Sequence, residues 1–330
     1  MLSRFEEIHL LCIFSILFLD SIAIFGQIDS TYIQPFDRDF SARIYINEKS
    51  AGFYQTNDSK ETEYKTNAPG SIGLGASWKH LSFSFSKGFD TFRDKDKGKT
   101  KSIEFQHHSY GHKIIYDIFL QQHKGFYRDE QNTDKTYDLY PDMELNMYGG
   151  SIQYIFNNKK FSSRAAFNLN ERQIKSAGSV LFGGSIYYSK IQADSVVIFE
   201  GMDRKQRNLQ LGLSLGYAYS WAITQRWTAT PSFTLGVMMG NNDPRHFFNN
   251  SMKIYPALNA RFGLSYNAKT WSIGSVFLIN RVYLFYKDKQ SLSMQNEQIQ
   301  LTFVKRFNWH NKHANKVLHK INGTKEKFRL

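Results

Sequence analysis

Residues Leu209–Ala222 read LQLGLSLGYAYSWA. Leu209, Leu211, Leu213, Leu215, Tyr217, Tyr219 and Trp221 alternate with Gln210, Gly212, Ser214, Gly216, Ala218, Ser220 and Ala222. A strict period of two is a strand signal, because successive side chains of a strand point to opposite faces. One face is wholly large and apolar, the other wholly small or polar. The pattern recurs in Ile72–Lys79 (IGLGASWK), Leu81–Ser86 (LSFSFS), Trp227–Val237 (WTATPSFTLGV) and Ile254–Tyr266 (IYPALNARFGLSY). The three longest of these runs, Leu209–Ala222, Trp227–Val237 and Ile254–Tyr266, exceed the usual soluble strand of about 5–6 residues. They suit the roughly 9–11 residues with which a tilted strand crosses a bilayer. A buried sandwich would favour charged side chains on its polar face. Gly, Ser, Thr, Asn and Gln dominate here, as on a hydrated lumen wall. Pro231 and Pro256 depart from the pattern, since each removes a ladder donor.

Bulk properties agree. The 330 residues include 28 Phe and 19 Tyr but only 6 Pro, and 22% are charged. Mean hydropathy is −0.47. Low hydropathy with many rings fits aromatic girdles around a polar lumen. The one cysteine, Cys12, lies in an N-terminal apolar run, so a chain without that run has neither a disulfide nor a thiolate metal site. Ile8–Leu19 is followed by Asp20, Ile22–Phe25 and then Gly26 before Gln27, which reads as an export signal over 1–26, although Arg4 is offset by Glu6 and Glu7. The formal charge is +13, and removal of 1–26 leaves +15. After export, anionic lipid headgroups and lipopolysaccharide are more natural partners than nucleic acid, and none is expected of the latter.

The chain therefore divides into a signal peptide (1–26), a periplasmic N-terminal lead (27–40), an antiparallel up-and-down transmembrane β-barrel (41–309) and a basic C-terminal tail (310–330). Short connections fall at Lys79–His80, Gly111–His112, Asn157–Lys160, Thr224–Arg226 and Asn267–Lys269. Long charged ones fall at Asn57–Gly70, Asp90–Lys99, Arg128–Asp142 and Gly240–Asn250. Short periplasmic turns and long external loops are the barrel pattern, and termini on one side require an even strand number. Twelve strands read clearly between Ser71 and Phe307. The alternation slips between Phe161 and Asn208. An extra strand at Ser195–Glu200 (SVVIFE) restores it, and with one more from Ala42 the expected total is fourteen, with twelve the alternative.

The segments DSTYIQPFDRDFSARIYINEK (Asp29–Lys49), GSIGLGASWKHLSFSFSKGF, QHHSYGHKIIYDIFLQQHKGFY, YPDMELNMYGGSIQYIFN and AAFNLNERQIKSAGSVLFGGSIYYSKIQADS follow in order. Together they resemble the outer-membrane proteins of Bacteroidetes-type bacteria grouped as domain of unknown function 4421. The resemblance covers nearly the whole mature chain. It implies an outer-membrane barrel inserted by the barrel-insertion machinery, and it brings no activity or catalytic residues. Where many barrels end on a closing aromatic, about twenty residues follow Trp309, so Phe307 or Trp309 would serve as an internal closing signal.

Chemistry-bearing motifs are few. His107, His108, Ser109 and His112 cluster near one turn, but no G-x-S-x-G surrounds a serine there, and neighbours on a strand face opposite ways. His123–Tyr127 (HKGFY) suits an aromatic girdle with a glycine bend, or a rim contact to sugar or phosphate. H-E-x-x-H and EF-hand spacings are missing, Asp94, Asp96, Asp129 and Asp134 lie among lysines and arginines, and GSIGLG at Gly70–Gly75 precedes no helix. No cofactor or metal is therefore expected. Arg43, Arg164 and Arg261 fall on small-polar faces, with Glu104 and Asp117 as counter-charges, and would line an anion-selecting constriction or plug a narrow lumen with ion pairs. The sequence thus favours a non-enzymatic outer-membrane barrel of a Gram-negative bacterium, a small pore or structural envelope component. A lipid or lipopolysaccharide hydrolase at the barrel rim is the alternative, and a soluble secreted sandwich a third reading.

Overall fold

The computed structural model describes residues 28–38, 40–58, 60–78, 81–129, 136–194, 204–241, 252–287 and 290–308. The export segment (1–26), the SVVIFE stretch and the tail (310–330) lie outside them.

The period-two segments form long strands: β2 (Phe40–Asn57), β3 (Lys60–Lys65), β4 (Ser71–Trp78), β5 (Leu81–Gly88), β6 (Lys101–Tyr110), β7 (Ile114–Asp129) and β8 (Tyr137–Ile155). They continue as β10 (Ala177–Gln192), β11 (Lys205–Ala222), β12 (Trp227–Asn241), β13 (Lys253–Asn267), β14 (Trp271–Lys287) and β15 (Gln290–Phe307). Two short strands, β1 (Ile33–Pro35) and β9 (Glu171–Gln173), pair only with each other. All pairings are antiparallel. The ring closes where β15 meets β2 from Gln290↔Asn57 to Phe307↔Phe40, so the first and last barrel strands share an end.

Ten strands make the hydrogen-bonded ring, in the order β2–β3–β7–β8–β10–β11–β12–β13–β14–β15. β4 and β5 extend from β2, and β6 pairs with β7. β3 and β4 occupy successive stretches of β2, Gly52–Asn57 and Phe40–Asn47, and so share one position around the wall. Among the described residues no pairing joins β5 to β6. Fourteen strands are not found there either. Within the stretch where the alternation slips, β8 pairs directly with β10, Ile155↔Leu181 through Glu144↔Gln192. The residues between them form an insert.

The wall is inside-out relative to a soluble protein. In β11, Leu213 and Leu215 are 62% and 61% exposed, whereas Gln210 and Ser220 are 1% and 0% exposed. Ile46, Leu74, Ile186, Leu235, Val237 and Leu301 are likewise exposed. A continuous apolar outer band around a closed wall is what lipid requires, because every backbone polar group must pair within the wall. Trp227, Tyr266, Trp271 and Phe303 line up in contact across β12–β15 near the short turns, at centroid spacings of 5.2, 5.2 and 6.0 Å, as an aromatic belt does at a membrane interface. The prolines leave a local trace. The β11–β12 ladder steps from Ala218↔Ser232 to Trp221↔Ala229, and across the gap beside Pro231 the hydroxyls of Ser220 and Thr230 meet at 2.8 Å.

Two features fill the inside. Toward the long loops, lumen-facing Phe53, Tyr64, Phe126, Met143, Leu145, Met147, Ile191, Met238, Tyr255, Leu284 and Met294 pack into one buried apolar cluster. The expectation of a wholly polar lumen wall is therefore corrected for that half. Toward the short turns, the insert after β8 folds inward as a plug. It contains the five-residue helix α1 (Ser163–Phe167) and β9. Ser162 caps α1, its Oγ accepting from Ala165 N at 3.0 Å, the standard satisfaction of a free helix donor. Gln173 ties the loop, accepting from Ser162 N at 3.0 Å and donating to Lys160 O at 2.6 Å. Phe161, Ala165, Ala166, Phe167 and Leu169 are buried.

The wall makes room for the plug with glycine. A Cβ at Gly263 would stand 2.3 Å from Ala166 O, and one at Gly274 would stand 2.9 Å from the Leu169 side chain. Gly263→Ala is thus expected to lift the plug away at a cost of about 1–3 kcal/mol, the range for overpacking. Limited proteolysis should show faster cleavage between residues 157 and 176 while the barrel stays folded on an unheated gel.

Candidate functional site

The polar lumen between the apolar cluster and the plug holds the charged groups. Asp117 (β7) and Arg261 (β13) face each other across it and form a buried ion pair. Asp117 also takes His108 Nδ1 at 2.6 Å and the Ser151 hydroxyl at 3.3 Å. The Arg261 guanidinium lies 5.7 Å from the Tyr110 ring centroid. Glu104 (β6) pairs with Lys49 (β2) at 3.1 Å, and Lys49 also donates to Gln106 at 2.7 Å. His123 lies 4.0 Å from Glu104 and bonds Ser102 at 2.9 Å. It points into the lumen and is buried, so the girdle or rim reading of that residue is corrected. The bend expected at Gly125 is present: its φ is +91° and the β7–β8 register shifts between Lys124 and Phe126.

Arg164 requires a correction. It sits on α1 in the plug rather than on a strand, and its Nε lies 3.0 Å from Glu171 Oε1. Arg43 does face inward from β2, where it donates to Asn168 at 2.6 Å, Asn170 at 3.1 Å and Ser77 at 3.0 Å. It tethers the plug. The five expected lumen charges thus separate into Arg261 with Asp117, Glu104 with Lys49, Arg164 with Glu171, and Arg43 with neutral plug groups. Lys49 and Arg306 went unassigned in the sequence although they lie in phase with Arg43 and Thr302, a period-two signal that was there to use. Glu171 carried no such signal, because only the fold of the plug brings it to His112.

His112, Glu171 and Ser162 come together, but not in the order of a Ser–His–Asp set. Glu171 stands between the other two, with His112 Nε2 on Oε1 at 2.6 Å and the Ser162 hydroxyl on Oε2 at 2.7 Å. In a Ser–His–Asp set the imidazole sits on the hydroxyl, whereas here Glu171 does, and Ser162 Oγ is also engaged in the helix cap. No serine or threonine hydroxyl bonds His108 among the described residues. There, too, no group of three or more His, Cys, Asp or Glu gathers as a metal site. Burial opposes the charge on Glu171, but the His112 bond and the Arg164 charge outweigh it and hold its pKa below the ordinary value.

The arrangement defines a closed antiparallel β-barrel, apolar outside, with an ion-paired lumen and an inserted plug. A family model, "Domain of unknown function (DUF4421)", matches residues 27–307, and the chain belongs to that family. No curated protein matches it. Solved structures that align with it include the outer membrane protease OmpT of Escherichia coli, at 10% identity over 82% of this chain and 98% of that one, TM-score 0.35. The toluene transporter TodX of P. putida aligns at 8% identity over 83% and 91%, TM-score 0.30. OmpT, an outer membrane protein of Vibrio cholerae, aligns at 9% identity over 81% and 98%, TM-score 0.28. At these scores none of them bears on what this chain does.

Two outcomes are expected from the charges. Asp117→Asn or Arg261→Met alone leaves a buried charge unpaired and should cost about 3–5 kcal/mol, whereas the pair Asp117→Leu with Arg261→Met should cost much less. Thermal midpoints of the detergent-solubilised barrel would compare them, and additive losses would refute the pairing. For Glu171 the folded pKa is depressed. Its contribution is therefore complete above the unfolded glutamate value of about 4.3 and is lost as pH falls through the lower folded value. Acidification below about pH 4 should expose the plug to an acid-active protease, and Glu171→Gln should remove that acid-dependent step.

Proposed function

We propose that this protein is a non-enzymatic outer-membrane barrel whose lumen is closed at rest, a structural component of a Gram-negative envelope rather than a standing pore. The observation that carries this reading is the filling of the lumen from both ends. Side chains of the wall itself fill the half near the long loops, and the plug fills the half near the short turns. Between them, cavities of about 20 Å³, lined by Gln153, Thr234 and Asn280 among others, and about 30 Å³, lined by Lys49, Glu104 and His108 among others, remain. A single water needs roughly 10–15 Å³, so these two cavities have room for only a few waters each.

The outer band of exposed Leu, Ile, Val and Phe supports residence in lipid, and the aromatic belt marks one interface. Outer-membrane lipid and lipopolysaccharide are then the immediate surroundings, and the barrel-insertion machinery is the route to them. The pore reading would need both fillings displaced. The hydrolase reading would need an activated nucleophile, and the hydroxyl nearest to one, that of Ser162, is buried and doubly bonded.

Membrane fractionation with gel mobility before and after heating tests the residence, and planar-bilayer recording tests the closed state. The purified protein is expected to fractionate with the outer membrane, to shift mobility on heating and to give no steady conductance. Deletion of residues 157–176 should still give none, because the apolar cluster seals the other half. Steady ohmic current from the intact protein would overturn the closed reading.

A further inference from the structure

At the short-turn mouth three buried or half-buried guanidinium groups lie together with no acid between them among the described residues. Arg43 projects from β2, Arg306 from the end of β15, and Arg172 from β9 of the plug. Arg43 and Arg306 grip one stretch of the plug, Arg43 through Asn168 and Asn170 and Arg306 through Leu169 O between them. Arg38, in the N-terminal lead, joins them by donating to Arg306 O at 3.3 Å. Phe36 packs against two of them, with Arg306 at 3.3 Å and Arg172 at 5.6 Å from its ring centroid. Every hydrogen-bond partner is neutral. Arg43 meets Asn168, Asn170 and Ser77, Arg306 donates to Ser272 Oγ at 2.9 Å and to Leu169 O, and Arg172 donates to Gln34 at 2.5 Å.

This sets the cluster apart from the other inward cations. Arg261, Arg164 and Lys49 each have a carboxylate partner. Among the described residues none pairs with Arg43, Arg172, Arg306 or Arg38, and the exposed Asp37, next to Arg38 in sequence, makes no ion pair with them. Moreover, the Nε atoms of Arg43 and Arg172 are buried with no hydrogen-bond partner. Gathering like charges away from water is costly unless an opposite charge offsets them. Unused guanidinium donors at fixed positions call for an acceptor with several charged oxygens, and phosphate fits that fork geometry better than a monovalent halide.

We propose that this cluster is a binding site for a phosphate group. The group enters from the short-turn end and bridges Arg172 of the plug and Arg38 of the lead to Arg306 of the wall. Bound there, it neutralises the cluster and pins the plug. The phosphate is either free or carried on a lipid headgroup, whose level the nearby aromatic belt marks. The site goes beyond the closed-lumen reading and stands or falls separately from any conductance result.

The test is thermal unfolding of the full barrel in zwitterionic detergent, followed by loss of the compact gel band. Sodium phosphate, and separately short-chain phosphatidic acid, are compared with sodium chloride at matched ionic strength. A saturating phosphate ligand is expected to raise the midpoint by about 5 °C over chloride. A shift with both ligands names free phosphate as sufficient, and a shift with the lipid alone names the headgroup. The double variant Arg38→Gln with Arg172→Gln, at the mouth, should lose the shift, while Arg226→Gln on the outer rim should keep it. No shift with either ligand, or an undiminished shift in the double variant, overturns the site. Should that variant fail to fold, the phosphorus NMR line of each ligand reads binding on the wild type. Broadening by folded but not by heat-unfolded protein supports the site, and an unbroadened line for both ligands overturns it.

Discussion

Closure of the strand ladder between β15 and β2 governs the rest of the molecule. A wall whose large side chains mostly point outward has an apolar core behind only one of its halves. Its stability comes from backbone groups paired all the way around and from the lipid that covers the band. The long, unbroken pairing from Phe307↔Phe40 to Gln290↔Asn57 supplies that closure. It also brings the lead and the last strand to one end, so that Arg38 and Arg306 become neighbours. On the other side of β2 the wall is less regular. β3 and β4 divide the pairing, a single register point, Lys65↔Tyr127, links β3 to β7, and the Lys49–Glu104 bridge spans the lumen side from β2 to β6.

Once the wall is closed, the inside has to be filled or hydrated, and the two halves solve this differently. Near the long loops, the inward face turns apolar while the outward face carries polar groups such as Glu144, Asn146 and Lys124. Met143, Leu145 and Met147 in β8 face inward while the neighbouring strands contribute Phe53, Phe126 and Met238. Flexible thioethers suit an irregular space of this kind. Near the short turns the filling is a separate piece of chain held by polar contacts: Arg43 to two asparagines, Arg306 to Leu169 O, and His112 and Arg164 to Glu171. Leu169 itself adopts φ +57°, a left-handed conformation that a leucine takes only when its surroundings impose it.

Much of the wall was legible because period two is a strong signal wherever one face is large and the other small. Leu209–Ala222, Trp227–Val237 and Ile254–Tyr266 became strands with the expected faces outward, and Arg261 and Asp117 were placed inside by the same counting. The plug was illegible for the corresponding reason. Asn157–Ser176 has no period, its one helix is five residues long, and its burial depends on Gly263 and Gly274, which lie about a hundred residues away. Reading that stretch as strand put Arg164 on a wall it does not belong to and called for a further strand at Ser195–Glu200. The apolar cluster escaped for a subtler reason. Met143, Leu145 and Met147 alternate with Glu144 and Asn146 just as a lipid-facing stretch does, and period two alone does not say which of the two faces surrounds the lumen.

The two fillings also differ in what could remove them. The apolar cluster is made of side chains anchored to paired strands, so opening it means deforming the wall. The plug is anchored by charge and hydrogen bonds at a water-facing end, where protonation or an anion acts directly on its contacts. Glu171 holds the plug from within, between His112 and Arg164, while Arg172, next to it in sequence, faces the uncompensated arginines at the mouth. Adjacent residues of one short strand thus couple the plug to two electrostatic environments of opposite need, one complete in itself and one short of negative charge. Any control over this end of the barrel would act through β9.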